Sequence, residues 1–256
     1  MYHLIGGKSS LKGLPLKKYI KQISYVKKNY GLSNVNFTFD HGTLDHYLYA
    51  APQLEKIGAK GIFFILSSIP ENSEIPVEDK QRRIESISRK MLAKKLCNEF
   101  DINYKLTSAK NYLKRFKFYS LEERYLRYLR NEKISKKNYE EFISEVYKKK
   151  FGDDIKYIKK NYMSWKHIKE LSNRGHIIGS HSHLHYGDKK DFKMSIQIIE
   201  KKIKKKVDQV SFPNGKKIIS DRDLSSIGVK FGYSTNVSKN NNKFRLPRID
   251  CNQFKK

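Results

Sequence analysis

The chain has 256 residues, 38% hydrophobic and 12% aromatic, with 54 Lys+Arg against 26 Asp+Glu and a net charge of +28. This length, with 17 Tyr and 14 Phe, supplies a packed core and excludes wholesale disorder. No run of eighteen apolar residues is present, which excludes a spanning helix, and Cys97 and Cys251 stand too far apart, in no CxxC pattern, to suggest a disulfide framework or a thiolate metal site.

Residues 14–30 place Leu16, Ile20, Ile23 and Val26 at helical spacing and predict an amphipathic helix. NVNFTFD, 34–40, alternates like a strand and breaks at HGT. Tyr47 to Ile57 predicts a helix closed by Gly58, and GAKGIFFILSS, 58–68, a buried strand. Strand, helix and strand at this spacing imply a parallel βαβ unit. Residues 71–159 change character: charged, poor in glycine, with Tyr and Leu three and four apart in KNYLKRFKFYSLEERYLRYLRNEK. They read as short helices inserted into, and packed on, a framework made of 1–70 and 160–256. The framework resumes with a helix from Ser164–Trp165 to Arg174, strand HIIGS, a basic helix over 190–206, strand VDQVSFP, helix SDRDLSSIG and strand VKFGYST. The fold class expected is α/β, a wound sheet or barrel, in which reactive groups collect at the carboxyl ends of the strands.

Two polar constellations fall at such ends: Asp40-His41-Gly42, and His181-Ser182-His183-Leu184-His185. In a helical turn His181 and His185 share a face; in an extended chain all three histidines point one way. Either geometry offers at least two nitrogens to one ion, and the Asp40–His41 loop supplies a third ligand with a position left open for water, as a hydrolytic zinc centre needs. Asp40 beside a cation stays ionised and suits a base, whereas Asp45 suits the cap of the next turn.

TFDHG resembles the TFDDG motif of the polysaccharide deacetylases, the NodB-homology carbohydrate esterase family, and HSHLH resembles their His-Ser/Thr-x-x-His motif. The opening MYH and the stretches GAKGIFFI and MSWKHIKELSNRGHIIGSHSHLH are also similar, so the resemblance covers residues 1–70 and 160–250 and leaves the insertion out. It implies a distorted (β/α) barrel and zinc or a similar divalent ion. It implies Asp40 as base, His181 and His185 as metal ligands, Ser182 steadying their loop, and a metal-bound water attacking the acetamide of an N-acetylated sugar or glycan. In SFPNG, Pro213 matches, and the N–H of Asn214 would stabilise the oxyanion. Ser182, Pro213 and Tyr186 are candidate substrate contacts; Trp165, in an apolar helical pattern, reads as core.

The chain departs from the family in three places. His41 stands where the family has a metal-binding Asp, which gives either an all-histidine set or an altered site that has lost its metal. QVSFP lacks the family's Arg, and Arg248 in LPRID supplies that charge from another strand end. No histidine follows His185, so the general acid is unassigned among water, a Lys, His3 and His46. The function expected is a metal-dependent N-deacetylase; a silent carbohydrate-binding or scaffold module and an amidohydrolase of non-sugar N-acyl groups stay open. The positive charge is spread evenly, and no zinc-finger or RNA-binding signature accompanies it, which leaves an anionic glycan open as partner and argues against nucleic acid. The Lys run 201–206 reads as a solvated face. The opening residues lack a signal-type apolar stretch, so a cytoplasmic location is expected.

Overall fold

A computed structural model describes residues 1–6, 13–71, 74–114, 117, 119–152, 154–235 and 242–253. Residues 7–12 of the N-terminal stretch, and positions 115, 116 and 118 of the Tyr- and Leu-rich segment, lie outside it. The chain divides into two units, residues 1–75 with 154–256, and residues 76–153. Residues 71, 74, 75 and 154–159, read from sequence with the insertion, cluster with the framework; the Ile75 N–H donates to the Asp154 carboxylate at 3.4 Å.

In chain order, α1 (Leu16–Tyr30) buries Tyr19, Gln22, Ile23 and Val26 and leaves Ile20, expected on that face, 36% exposed. β1 (Phe37–His41) is followed by a π-helical turn, His46–Ala50, and α2 (Ala51–Lys56), then β2 (Gly61–Ile65). The second unit holds α3 (Val77–Glu85), α4 (Arg89–Glu99), α5 (Leu121–Tyr128) and α6 (Lys136–Phe151), with α3 against α6 and α4 against α5. Leu92, Leu96, Leu126, Tyr139 and Ile143 are buried there, and Ser120 and Glu123 close a capping box that starts α5. The first unit resumes with α7 (Asp154–Asn161), α8 (Trp165–Asn173), β3 (Ile177–Ser180), α9 (Lys189–Ile203), β4 (Gln209–Ser211), α10 (Asp221–Ser226), β5 (Phe231–Ser234) and β6 (Leu246–Pro247).

Several elements are shorter than the sequence suggests, each for a local reason. β4 stops at Ser211 because Pro213 lacks an N–H and opens a 3₁₀ turn, Pro213–Gly215. α9 ends at Ile203 because Lys204 takes left-handed backbone (φ 58°), so the Lys run continues beyond the helix. Lys202 pairs with Glu71 and Lys205 donates to the Ser172 carbonyl, while Lys201, Lys204 and Lys206 are exposed.

Among the described residues, six strands form one parallel sheet in chain order, β1 to β6, with helices in the crossovers. This is a distorted (β/α) barrel carrying an inserted helical segment. Residues 1 and 2 bridge its first and last strands: Tyr2 exchanges backbone bonds with Thr38 and Asp40 on β1, and Met1 with Ile249 and Cys251 beyond β6. The large core lies between sheet and helices and includes Tyr19, Phe39, Leu54, Phe63, Ile168 and Phe192. Trp165 packs at its edge, with Nε1 donating to Glu71. A smaller cluster of Ile62, Phe64 and Tyr233, with Leu246 against it, fills the inner face. Gly179 makes room for it, since a Cβ there would lie 2.5 Å from the Phe64 ring.

Candidate active site

Register decides which side chains meet. Asp40 pairs with Phe64, Phe64 with Gly179, Ser211 with Tyr233 and Tyr233 with Leu246. Side chains alternate along a strand, so Asp40, His181, Ser211 and Arg248 share the inner face at the carboxyl ends of β1, β3, β4 and β6. His41 has the opposite parity. Its backbone, and that of Gly42, turn left-handed (φ 74° and 73°), which redirects the imidazole.

Asp40 is 1% exposed and Arg248 7%. Arg248 Nη1 donates to both Asp40 oxygens, at 2.7 and 2.9 Å, and Ser211 Oγ donates to Oδ1 at 3.0 Å. Burial pushes the Asp40 carboxyl up, but the charge of Arg248, with His181 and His3 behind it, outweighs burial and holds the group well below the usual carboxylate range. Asp40 is therefore ionised, and Oδ2, with one hydrogen bond against two on Oδ1, keeps more spare accepting capacity.

His41, His181 and His185 are all buried, and a ligating atom from each lies within 4.8 Å of the others. Their ring centroids stand 5.0 Å (His41–His181), 5.2 Å (His41–His185) and 5.0 Å (His181–His185) apart. His181 Nδ1 lies 2.9 Å from the Ser211 carbonyl oxygen, which can only accept, so Nδ1 carries the hydrogen and Nε2 keeps its lone pair. Burial pushes the His181 imidazole well below its ordinary pKa, against the pull of Asp40. A neutral ring, oriented by a carbonyl behind it, is what a metal ligand requires. One nitrogen from each of His41, His181 and His185, converging from two strand ends, suits a divalent ion bonded at about 2.0–2.1 Å.

The other candidate residues lie around this centre. His183 is outside the triad, with Nδ1 2.8 Å from Ser67 Oγ. Ser182 is fully buried at φ 70°; its N–H donates to Ser180 Oγ and its carbonyl accepts from the Ser67 N–H. Pro213 is buried, Asn214 is exposed with left-handed backbone (φ 54°), and Tyr186 is 50% exposed. His46 is buried, with Nε2 on the His3 carbonyl and Thr43 Oγ, and burial lowers its pKa. The His3 ring stands edge-on to His41, centroids 5.4 Å apart. Sequence reading assigned no role to Ser211, which joins Asp40 to His181; its only signal is that it opens SFPNG at the end of a strand.

No family model matches the chain, and no curated protein does. Solved structures do. A Streptococcus pyogenes deacetylase, PplD, in complex with acetate, superposes with a TM-score of 0.54 at 16% identity, over 97% of this chain and 89% of that one. IcaB from Ammonifex degensii gives 0.53 at 14%, over 97% and 88%, and a de-N-acetylase from Aggregatibacter actinomycetemcomitans 0.53 at 14%, over 97% and 92%. The chain has the polysaccharide deacetylase fold. Within the deacetylase fold, Asp40 and the three histidines stand at the strand ends where a barrel gathers its reactive groups.

Proposed function

We propose that the protein is a metal-dependent hydrolase that removes acetyl groups from an N-acetylated sugar or glycan. The observation that carries this reading is the meeting of an ionised, buried Asp40 with three buried imidazoles at one end of a deacetylase-fold barrel. Acetate, the acid product such a reaction releases, is bound in the solved PplD. His41, His181 and His185 would hold the ion, and zinc suits an all-nitrogen set of three. When bound, the ion supplies Lewis acidity that polarises the acyl carbonyl and acidifies water.

The chain's own residues do the rest. Asp40 accepts the proton of the attacking water, at Oδ2, while Arg248 and Ser211 keep the carboxylate ionised and fixed. Ser211 also fixes the His181 tautomer through its carbonyl. The Asn214 N–H is the proposed donor to the developing oxyanion. Of the three candidate substrate contacts, Tyr186 is half exposed whereas Ser182 and Pro213 are buried, so Tyr186 is the one offered to a sugar ring. No helix among the described residues is long and apolar enough to cross a membrane.

The test is acetate release from N-acetylated oligosaccharides, with metal content measured on the same preparations. Asp40→Asn is expected to keep its metal and lose about 10²–10⁴-fold in rate, the usual worth of a positioned base. Sugar binding without release by the metal-loaded wild type would instead establish a silent carbohydrate-binding module. Release from N-acyl amides alone would point to the amidohydrolase.

A further inference from the structure

The segment carrying two of the three imidazoles, residues 180–187, takes left-handed backbone at Ser182 (φ 70°) and His185 (φ 68°), neither a glycine, and at Gly187 (φ 79°). L side chains disfavour that conformation, so something outside the segment must hold it. Part of the hold comes from the residues after β2, where the Ser67 N–H donates to the Ser182 carbonyl at 3.3 Å and the Ser68 N–H to the His183 carbonyl at 3.4 Å. A larger share comes from one side chain on α9. Asp191, 6% exposed, accepts the N–H groups of His183 (3.1 Å) and Leu184 (2.8 Å) on Oδ1, and those of Tyr186 (2.8 Å) and Gly187 (2.9 Å) on Oδ2. An ionised carboxylate has about four acceptor sites, and here four backbone donors, two on each side of His185, fill them. Asp191 is itself fixed: its N–H donates to Asp188, the cap of α9, at 2.9 Å, in the first turn where a helix favours negative charge.

We propose that Asp191 is a positioning residue of the metal centre, setting the loop so that His181 and His185 converge on His41. The inference rests on the metal reading above, in which Asp191 is no ligand. Asparagine keeps the shape but leaves one oxygen for four donors and adds two hydrogens against them.

Zinc affinity, by competition with a chromophoric chelator, is measured for wild type, Asp191→Asn and Ile199→Val, the last trimming a fully buried residue on the same helix. The melting temperature of each metal-free protein is recorded alongside. Asp191→Asn is expected to bind zinc about 10–100-fold more weakly, and Ile199→Val to match wild type even where its melting temperature falls. Wild-type affinity in Asp191→Asn overturns the proposal, and Asp191→Ser takes its place should the first variant not fold. Amide hydrogen exchange of the metal-free proteins separates the two readings. Faster exchange at residues 183, 184, 186 and 187 in the variant supports the loop-setting role, and unchanged protection overturns it. A wild type that binds no zinc overturns the metal reading, and these amides then decide the role of Asp191 alone.

Discussion

At the scale of single residues, the site rests on a buried ion pair. Taking Asp40 and Arg248 out of water is costly, and the cost is met only while both partners and the Ser211 hydroxyl are in place. The folded pKa of Asp40 lies below its unfolded value, so the unfolded chain binds more protons between the two. Its contribution to stability is full above about pH 5 and is lost as pH falls through the unfolded value near 3.9 toward the folded one. Urea unfolding of the metal-free protein between pH 6 and 3 is expected to show a steeper acid loss for wild type than for Asp40→Asn. The histidines divide just as sharply. His41→Ala, His181→Ala or His185→Ala is expected to abolish stoichiometric metal in elemental analysis, because each removes one of the three proposed donors. His183→Ala is expected to keep it, because that ring faces Ser67.

At the scale of elements, the strands place the site and the residues flanking them aim it. Gly179 in β3 lets the Phe64 ring cross the inner face. Gly179→Ala puts a methyl against that ring and is expected to cost about 1–3 kcal/mol, the usual range for overpacking, read as a lower urea midpoint with an unchanged m-value. Much of the element pattern was legible in the sequence. Apolar runs and helical spacing mark β1, β2, β3 and their crossovers, because burial on both faces of a parallel sheet demands them. Ends were less legible: β4 yields to Pro213, α9 to a left-handed Lys204, and Ile20 turns outward although the spacing counts it inward. Such ends depend on which backbone groups find partners, and that is a tertiary matter.

At the scale of the whole molecule, a charge of +28 on 256 residues is a standing repulsion among lysines that few acidic partners offset. Salt screens it over about 10 Å at 0.1 M. The melting temperature is therefore expected to rise between 20 and 200 mM NaCl; a fall would mean that ion pairs such as Arg174–Glu55 outweigh the repulsion. Closure of the barrel is also a whole-molecule property. Met1 and Tyr2 occupy the gap between β1 and the segment after β6, and so bring Arg248, 208 residues from Asp40 in sequence, to its carboxylate.

The sequence alone determined the α/β class, the inserted helical stretch and the strand-end positions of Asp40, His41, His181 and His185, because hydrophobic period and residue chemistry are local properties of the chain. Only the tertiary structure decided that three imidazoles from two loops converge, that Ser211 links the carboxylate to a histidine, and that Asp191 holds the loop between. Those depend on strand register and on left-handed backbone at His41, Ser182 and His185, set by partners far away along the chain.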